Sequence, residues 1–436
     1  MTDATSKKVY YATAVDILKP MDTPRLFEPL QSNSNTFNHV SMHQISANIF
    51  LCGNGKNRAA EDETNFQDSD DSLNGGRCFS RYTIHSILNF CTRADSASKK
   101  NQSTIVNTHS DMEYMKRSLL FIGSYMALTL GNEPEYIAQS FEELLLDNDL
   151  CVDSKYLSHT KDCWGSLRRS NELGWLGSYL DHSYIYSSWT GDFHELLPGH
   201  LVLIRAPQEL APGALWADIR GPDGEFLRRD FSPRHQAAVL KRLGARAVVR
   251  LHCDAGAPEA HCPTDAFEAH GIPVADLHCA SADSPPPAAA VAKFLRIAAA
   301  VPGPVALHGP AGPVAALAAL LLMARFGFPA GQAVAWLHLV APACWAGGHL
   351  DYLRAREAVL RRVGPELAAT AAAAAGTGVD PDTADWAGEG RDPAAAVAAA
   401  MQEVEARMGR VNNKDKRSTP PGAGRAVGGG GGSPHV

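Results

Sequence analysis

Apolar and polar positions follow two rhythms along this chain. In the first part, apolar residues spaced three and four apart predict helices over 82–91, 112–130 and 134–147. In the second of these, Met115, Leu119, Ile122, Met126 and Leu130 fall on one face. The run ANIFLCG, 47–53, predicts a strand. The polar, acidic stretch that follows, 54–77 with DETNFQDSDDS, reads as a mobile loop insertion.

Beyond about residue 190 the texture becomes rich in Ala, Pro and Arg, and short apolar runs alternate with helical stretches. Strands are expected at 201–206, 246–252, 272–278 and 304–308. Helices are expected at 233–244, 287–300, 313–326, 330–340 and 349–363, the first ended by Gly244 and the third opened by Pro313. Such alternation predicts an α/β fold with a mostly parallel sheet flanked by helices. Ligands in such sheets bind beyond the carboxyl ends of the strands. From 366 onward the chain is Ala/Gly/Pro-rich, and the end, NNKDKRSTPPGAGRAVGGGGGSPHV, reads as disordered. The KDKR within it reads as a solvated patch.

Composition narrows the function. At 45% hydrophobic the 436 residues can bury a core, and the net charge of -7 offers no footprint for nucleic acid. The N-terminus lacks a signal-peptide pattern, and the longest apolar run, Val314 to Ala324, is too short to span a bilayer. Nine scattered cysteines suit thiols in a reducing compartment, so cytoplasm or nucleus is expected.

Several stretches, in order, carry a family resemblance. They are VYYAT (9–13), SLLFIGSYMAL (118–128) with NEPEYIAQSF, GDFHELLPGHLVL (191–203), FSPRHQAAVLKRLGARAVVRL (231–251) and ARFGFPAGQAVAWLHLVAP (324–342). Over roughly residues 8–362 the chain resembles the CDC-fourteen-type dual-specificity protein phosphatases. The resemblance implies two tandem phosphatase-like domains packed face to face, only the second catalytic. The expected layout is a non-catalytic domain at 1–178 containing the 54–77 insertion, a second domain at 179–365 and a disordered tail at 366–436.

In the active family a strand ends in His-Cys, five residues follow and an Arg opens a helix. The thiolate attacks phosphorus, backbone N–H groups cradle the phosphate, the Arg grips two oxygens and an Asp protonates the leaving oxygen. The matching loop here is PVALHGPAGPVAAL, 304–317, a vestige comprising His308, Gly309, Gly312 and Ala315. Gly309 stands where the Cys belongs and Ala315 where the Arg belongs. Pro310 and Pro313 each remove an N–H donor. The bland alternative is a strand, a turn and a proline-opened helix. Asp283 aligns with the general acid as a vestige, and equally suits a turn before proline. The family's water-positioning glutamines have no counterpart in GGHLDYL, 347–353.

Two other features compete for chemistry. HCDAGAPEA, 252–260, resembles a phosphate loop around Cys253, but Glu259 stands where the Arg belongs. Three His-Cys pairs, 252–253, 261–262 and 278–279, contain natural zinc ligands, and Cys253, Cys279 and His308 end strands expected to be neighbours. The spacing matches no zinc-finger pattern, so neither a metal nor another cofactor is expected.

These residues point to a pseudophosphatase that binds a protein or phosphoprotein partner, with no nucleic acid or membrane. The alternative is a phosphatase with residual or rerouted activity on phosphoserine-proline or phosphotyrosine sites. Apolar residues persist at Val305, Leu307, Leu317, Leu320, Leu321 and Trp336, which argues against a chain in decay.

Overall fold

The computed structural model describes residues 40–46, 49–54, 84–100, 104–108, 112–147, 154–181, 191, 193–253, 264–341, 349–362 and 364–365, with isolated positions 399 and 402. Of the insertion expected at 54–77 only Asn54, the last residue of a strand, is described, and nearly all of the 366–436 tail lies outside the described residues.

In the first part, β1 (Val40–Ser46) pairs antiparallel with β2 (Ile49–Asn54), and β2 pairs in parallel with β3 (Thr104–Thr108). The strand expected at 47–53 is therefore β2, beginning two residues later. Helix α1 (Ile84–Lys99) runs well past its expected end at 91, while α2 (Met112–Leu128) and α3 (Pro134–Asp147) lie where the periodicity puts them.

Helix α4 (Ser154–Glu172) was not predicted, because its inner stripe is poor in large apolar residues. Thr160, Cys163, Gly165, Ser166 and Ser170 share that buried stripe with Leu157, Trp164 and Leu167. Two of the buried hydroxyls are satisfied locally: Thr160 Oγ1 donates to the Tyr156 carbonyl at 2.8 Å and Ser166 Oγ to that of Cys163 at 2.8 Å. Helix α5 (Leu176–Asp181) follows, and the boundary expected at 178/179 falls inside it.

The second part holds a five-stranded sheet. Its strands are β4 (His194–Leu197), β5 (Leu201–Leu203), β8 (Ala247–Cys253), β9 (Val274–Cys279) and β10 (Val305–His308), in spatial order β4-β5-β10-β8-β9. All neighbours are parallel except the β4–β5 edge pair. Between β5 and β8 the chain forms an antiparallel hairpin, β6 (Trp216–Arg220) and β7 (Phe226–Phe231).

Central β10 reads Val-Ala-Leu because both its faces are covered. Val305 and Leu307 join one hydrophobic cluster and Ala306 the other. Helices α6 (Pro233–Arg242) and α7 (Thr264–Glu268) cover the Ala306 face, where Ala237, Leu240 and Phe267 are buried. Helices α8 (Ala288–Ala300) and α9 (Ala311–Phe326) cover the other.

Helix α9 starts two residues before Pro313, with Pro310 as its N-cap. Pro313 thus lies in the first turn, where its missing N–H breaks no helical bond. Gly327 closes α9 in the left-handed conformation at φ 69°.

Helix α10 (Ala330–Val340) matches its predicted span. The single helix expected at 349–363 is instead broken. Helix α11 (Leu350–Arg354) ends in a turn, and helical residues resume at 357–362. The turn tightens because the Arg356 N–H bonds the Leu353 carbonyl three residues back at 3.0 Å.

The hydrophobic cluster on the α9 face is continuous from Ile84 in α1 to Leu360. Helix α10 lies on α4, and its Trp336 sits fully buried among Trp175, Tyr179 and Leu196. No helix among the described residues is long and apolar enough to cross a membrane.

Candidate functional site

The loop after β10 lies at the carboxyl end of the central strand, the place where a parallel sheet offers a ligand site. Gly309 adopts φ 151°, open to glycine and unfavourable for other residues. A Cβ there would lie 2.7 Å from the Leu251 carbonyl oxygen and 2.8 Å from the Leu251 Cβ. The position expected to carry a nucleophile is therefore packed against β8.

Ala315 lies in the first turns of α9 with only 2% of its surface exposed, inside the hydrophobic cluster. A guanidinium there would have to enter an apolar core. The α9 ladder starts within the loop, where the Val314 N–H bonds the Pro310 carbonyl at 3.1 Å. Together with two prolines lacking N–H groups, this leaves few donors for an anion.

Two elements close over Gly312. A Cβ there would stand 3.0 Å from the Ala282 carbonyl oxygen and 3.0 Å from His349 Nε2. Ala282 belongs to the loop 280–287 that contains Asp283. Paired serines shape that loop: the Ser281 N–H donates to Ser284 Oγ at 2.9 Å, and the Ser284 N–H to Ser281 Oγ at 3.2 Å. Tyr352 pins its far end by donating its hydroxyl to the Pro286 carbonyl at 2.8 Å.

His349 is 6% exposed. Burial lowers its pKa below the ordinary 6.5, and the negative charge of Asp283 pulls the other way. Behind it, the Arg356 guanidinium lies 3.6 Å from the centroid of the Tyr352 ring and is 2% exposed. It also donates from Nη1 to the Tyr352 carbonyl at 3.0 Å.

His349, Tyr352 and Arg356 are the residues that sequence reasoning missed. They are spaced three and then four apart, as on one helical face, yet His349 caps α11 and Arg356 lies in the turn that breaks it.

The Cys253 pair is placed differently from the loop. Strands β8 and β9 run in register, with His252 opposite His278 and Cys253 opposite Cys279. The two Sγ atoms are 2.8 Å apart, and the Cys279 thiol donates to the His252 carbonyl at 3.3 Å. Residues 254–263, including Glu259 and the His261–Cys262 pair, lie outside the described residues.

His308 aligns with Arg250 on β8. Side chains alternate along a strand, so His308 shares its face with Arg250 and His252, opposite to Cys253. The candidate ligand set Cys253, Cys279 and His308 is thus split between faces. No group of three or more His, Cys, Asp or Glu side chains is placed to hold a metal among the described residues.

On that opposite face Arg250 forks onto Asp276 at 2.7 and 2.8 Å, and His252 Nε2 approaches the same carboxylate at 2.6 Å. Burial works to raise the Asp276 pKa, but these hydrogen bonds outweigh it and hold the carboxyl at about 2.

Comparison with known proteins agrees with the sequence resemblance. The chain is 24% identical over 205 residues to the tyrosine-protein phosphatase cdc-14 of Caenorhabditis elegans, covering 46% of this chain and 26% of that protein. It is 22% identical over 283 residues to the dual specificity protein phosphatase CDC14AB of Danio rerio, covering 63% and 42%. It is 22% identical over 261 residues to the human dual specificity protein phosphatase CDC14C, covering 56% and 54%. The matches thus span between about a quarter and half of these relatives' length, and the homology is weak but consistent. No protein-family model matches.

Among solved structures, PTPMT1 in complex with PI(5)P aligns with a TM-score of 0.29 at 12% identity, covering 41% of this chain and 98% of that one. Tk-PTP in the active form aligns with a TM-score of 0.26 at 16% identity, covering 39% and 96%.

Proposed function

We propose that this divergent relative of the CDC14-type dual-specificity phosphatases is a pseudophosphatase. In this reading it keeps two tandem phosphatase-like units, 1–178 and 179–365, as a scaffold for a protein or phosphoprotein partner, and performs no phosphoryl transfer. The observation that carries the reading is the packing around the loop after β10. Gly309 faces Leu251 with no space for a side chain, and Ala315 is sealed in the core.

Phosphoryl transfer of this kind needs a nucleophile and a cation aimed at the transferring oxygens. The positions that would supply them have been converted to close packing. Asp283 remains beside the loop as a vestigial acid, with no covalent intermediate to complete.

The test uses the full chain in two assays on one preparation. Hydrolysis of an aryl phosphate should not exceed a buffer blank, and calorimetry with a phosphoserine-proline peptide reports whether a docking groove persists. Turnover above the blank would overturn the proposal.

A further inference from the structure

A second site, separate from the loop after β10, lies at the ends of β8 and β9. We propose that Cys253 and Cys279 form a reversible intramolecular disulfide when the protein meets a hydroperoxide, making this strand end a redox-modification site.

The backbone already meets the geometric demand. Cys253 and Cys279 are direct partners on neighbouring parallel strands. Such strands lie about 4.8 Å apart, inside the roughly 4.4–6.8 Å range of Cα separations that a disulfide bridges. The sulfurs are 2.8 Å apart and point to the same face. Closing them to a bond of about 2.05 Å needs a small turn of both side chains and no strand shift.

The two thiols also differ in access. Cys279 is buried, whereas Cys253 is only partly so and is the one a peroxide can reach. Two other thiols lack these features. Burial pushes Cys91 up to about 12 and Cys163 higher still, which keeps both protonated and unreactive.

The chemistry balances as follows. The Cys253 thiolate attacks one oxygen of hydrogen peroxide, the O–O bond breaks, and a sulfenic acid forms as hydroxide leaves to become water. The Cys279 sulfur then attacks the Cys253 sulfur, the S–O bond breaks, and a second water departs with the Cys279 proton. Two thiols are oxidised to one disulfide and one peroxide is reduced to two waters. A dithiol reductant reverses the step.

The crosslink sits at a point of leverage. Two residues before Cys253, Leu251 packs against Gly309. Immediately after Cys279 begins the loop whose Ala282 closes over Gly312. Oxidation would tie the strand supporting the vestigial loop to the segment covering it.

The test treats the reduced full chain with hydrogen peroxide, alkylates remaining thiols, and digests without reduction. Trypsin with a glutamate-specific protease leaves Cys253 in 251–259, Cys262 in 260–268 and Cys279 in 269–293. The expected product joins 251–259 to 269–293, lighter by two hydrogens than their sum, and disappears on treatment with dithiothreitol. In Cys279→Ser, dimedone should trap a sulfenic acid on Cys253 that the unaltered chain resolves. Complete alkylation of both cysteines after peroxide, or a crosslink of either one to Cys262, would overturn the proposal.

Discussion

Trp336 donates its indole N–H to the Leu196 carbonyl at 2.8 Å, tying α10 to edge strand β4. Around it stand Trp175 at 5.8 Å and Tyr179 at 5.5 Å between ring centroids, both from the first part of the chain. One side chain thus bridges both halves. Trp336→Ala should destabilise the protein by about 3–5 kcal/mol through the cavity and the lost hydrogen bond. Urea unfolding followed by circular dichroism and by fluorescence should shift together. Early unfolding of one half alone would contradict the shared core.

His159 and His338 meet across the same seam, with Nδ1 of His338 3.1 Å from Nε2 of His159. Burial lowers the His159 pKa to about 4, and burial followed by the Arg325 charge lowers that of His200 to about 4. An unfolded histidine takes up its proton near pH 6.5, which these rings refuse until about pH 4. Stability is therefore full above about pH 6.5 and declines as the pH falls toward 4. Each ring contributes about 1–3 kcal/mol, discounted because both keep some contact with water. Denaturation midpoints measured from pH 7.5 to 4 check this, and His159→Gln should make the decline shallower.

Gly309→Cys restores the missing thiol but not the space for it. The clash with the Leu251 carbonyl and the backbone at φ 151° should lower stability by about 1–3 kcal/mol. No aryl phosphate turnover should appear. Ala315→Arg should be worse, since it drives a charge into the core. Measurable turnover by the single Gly309→Cys variant would mean the loop retains far more of a phosphate cradle than its packing implies.

Tyr352→Phe removes the hydroxyl that holds the Pro286 carbonyl while keeping a ring for Arg356 to cover. A loss of about 1 kcal/mol is expected. Hydrogen exchange should quicken at the amides of 281–284 and remain unchanged in β10. Equal acceleration in both places would show that the hydroxyl supports the whole sheet and not the covering loop alone.

The parts of the fold legible in the sequence share a physical cause. Strands β8 and β10 announce themselves as near-continuous apolar runs of a covered parallel sheet, edge strand β9 by an alternation that buries Leu277 and Cys279, and helices α6, α8 and α10 by helical periodicity bounded by Pro and Gly. Helix α4 escaped because its packing surface uses Thr160, Ser166 and Ser170, of which the Thr160 and Ser166 hydroxyls are satisfied within the helix and so behave as core. The strand-end alignment of Cys253 with Cys279 was readable, since both follow histidine at the end of neighbouring strands. The face on which His308 lies was not, because it depends on the register of β10 against β8. The closure of His349 over Gly312 joins segments distant in the chain, and no local pattern announces such a meeting.

The core that runs unbroken from Ile84 to Leu360 limits how this protein can be rebuilt. Each half is cut to fit the other: α10 rests on α4, and Arg169 reaches the Phe326 carbonyl at 2.8 Å. A chimera that takes one half from a relative would bring a mating surface shaped for a different counterpart. Exchanges that succeed should carry α4, α5 and α10 together, as one transplanted joint.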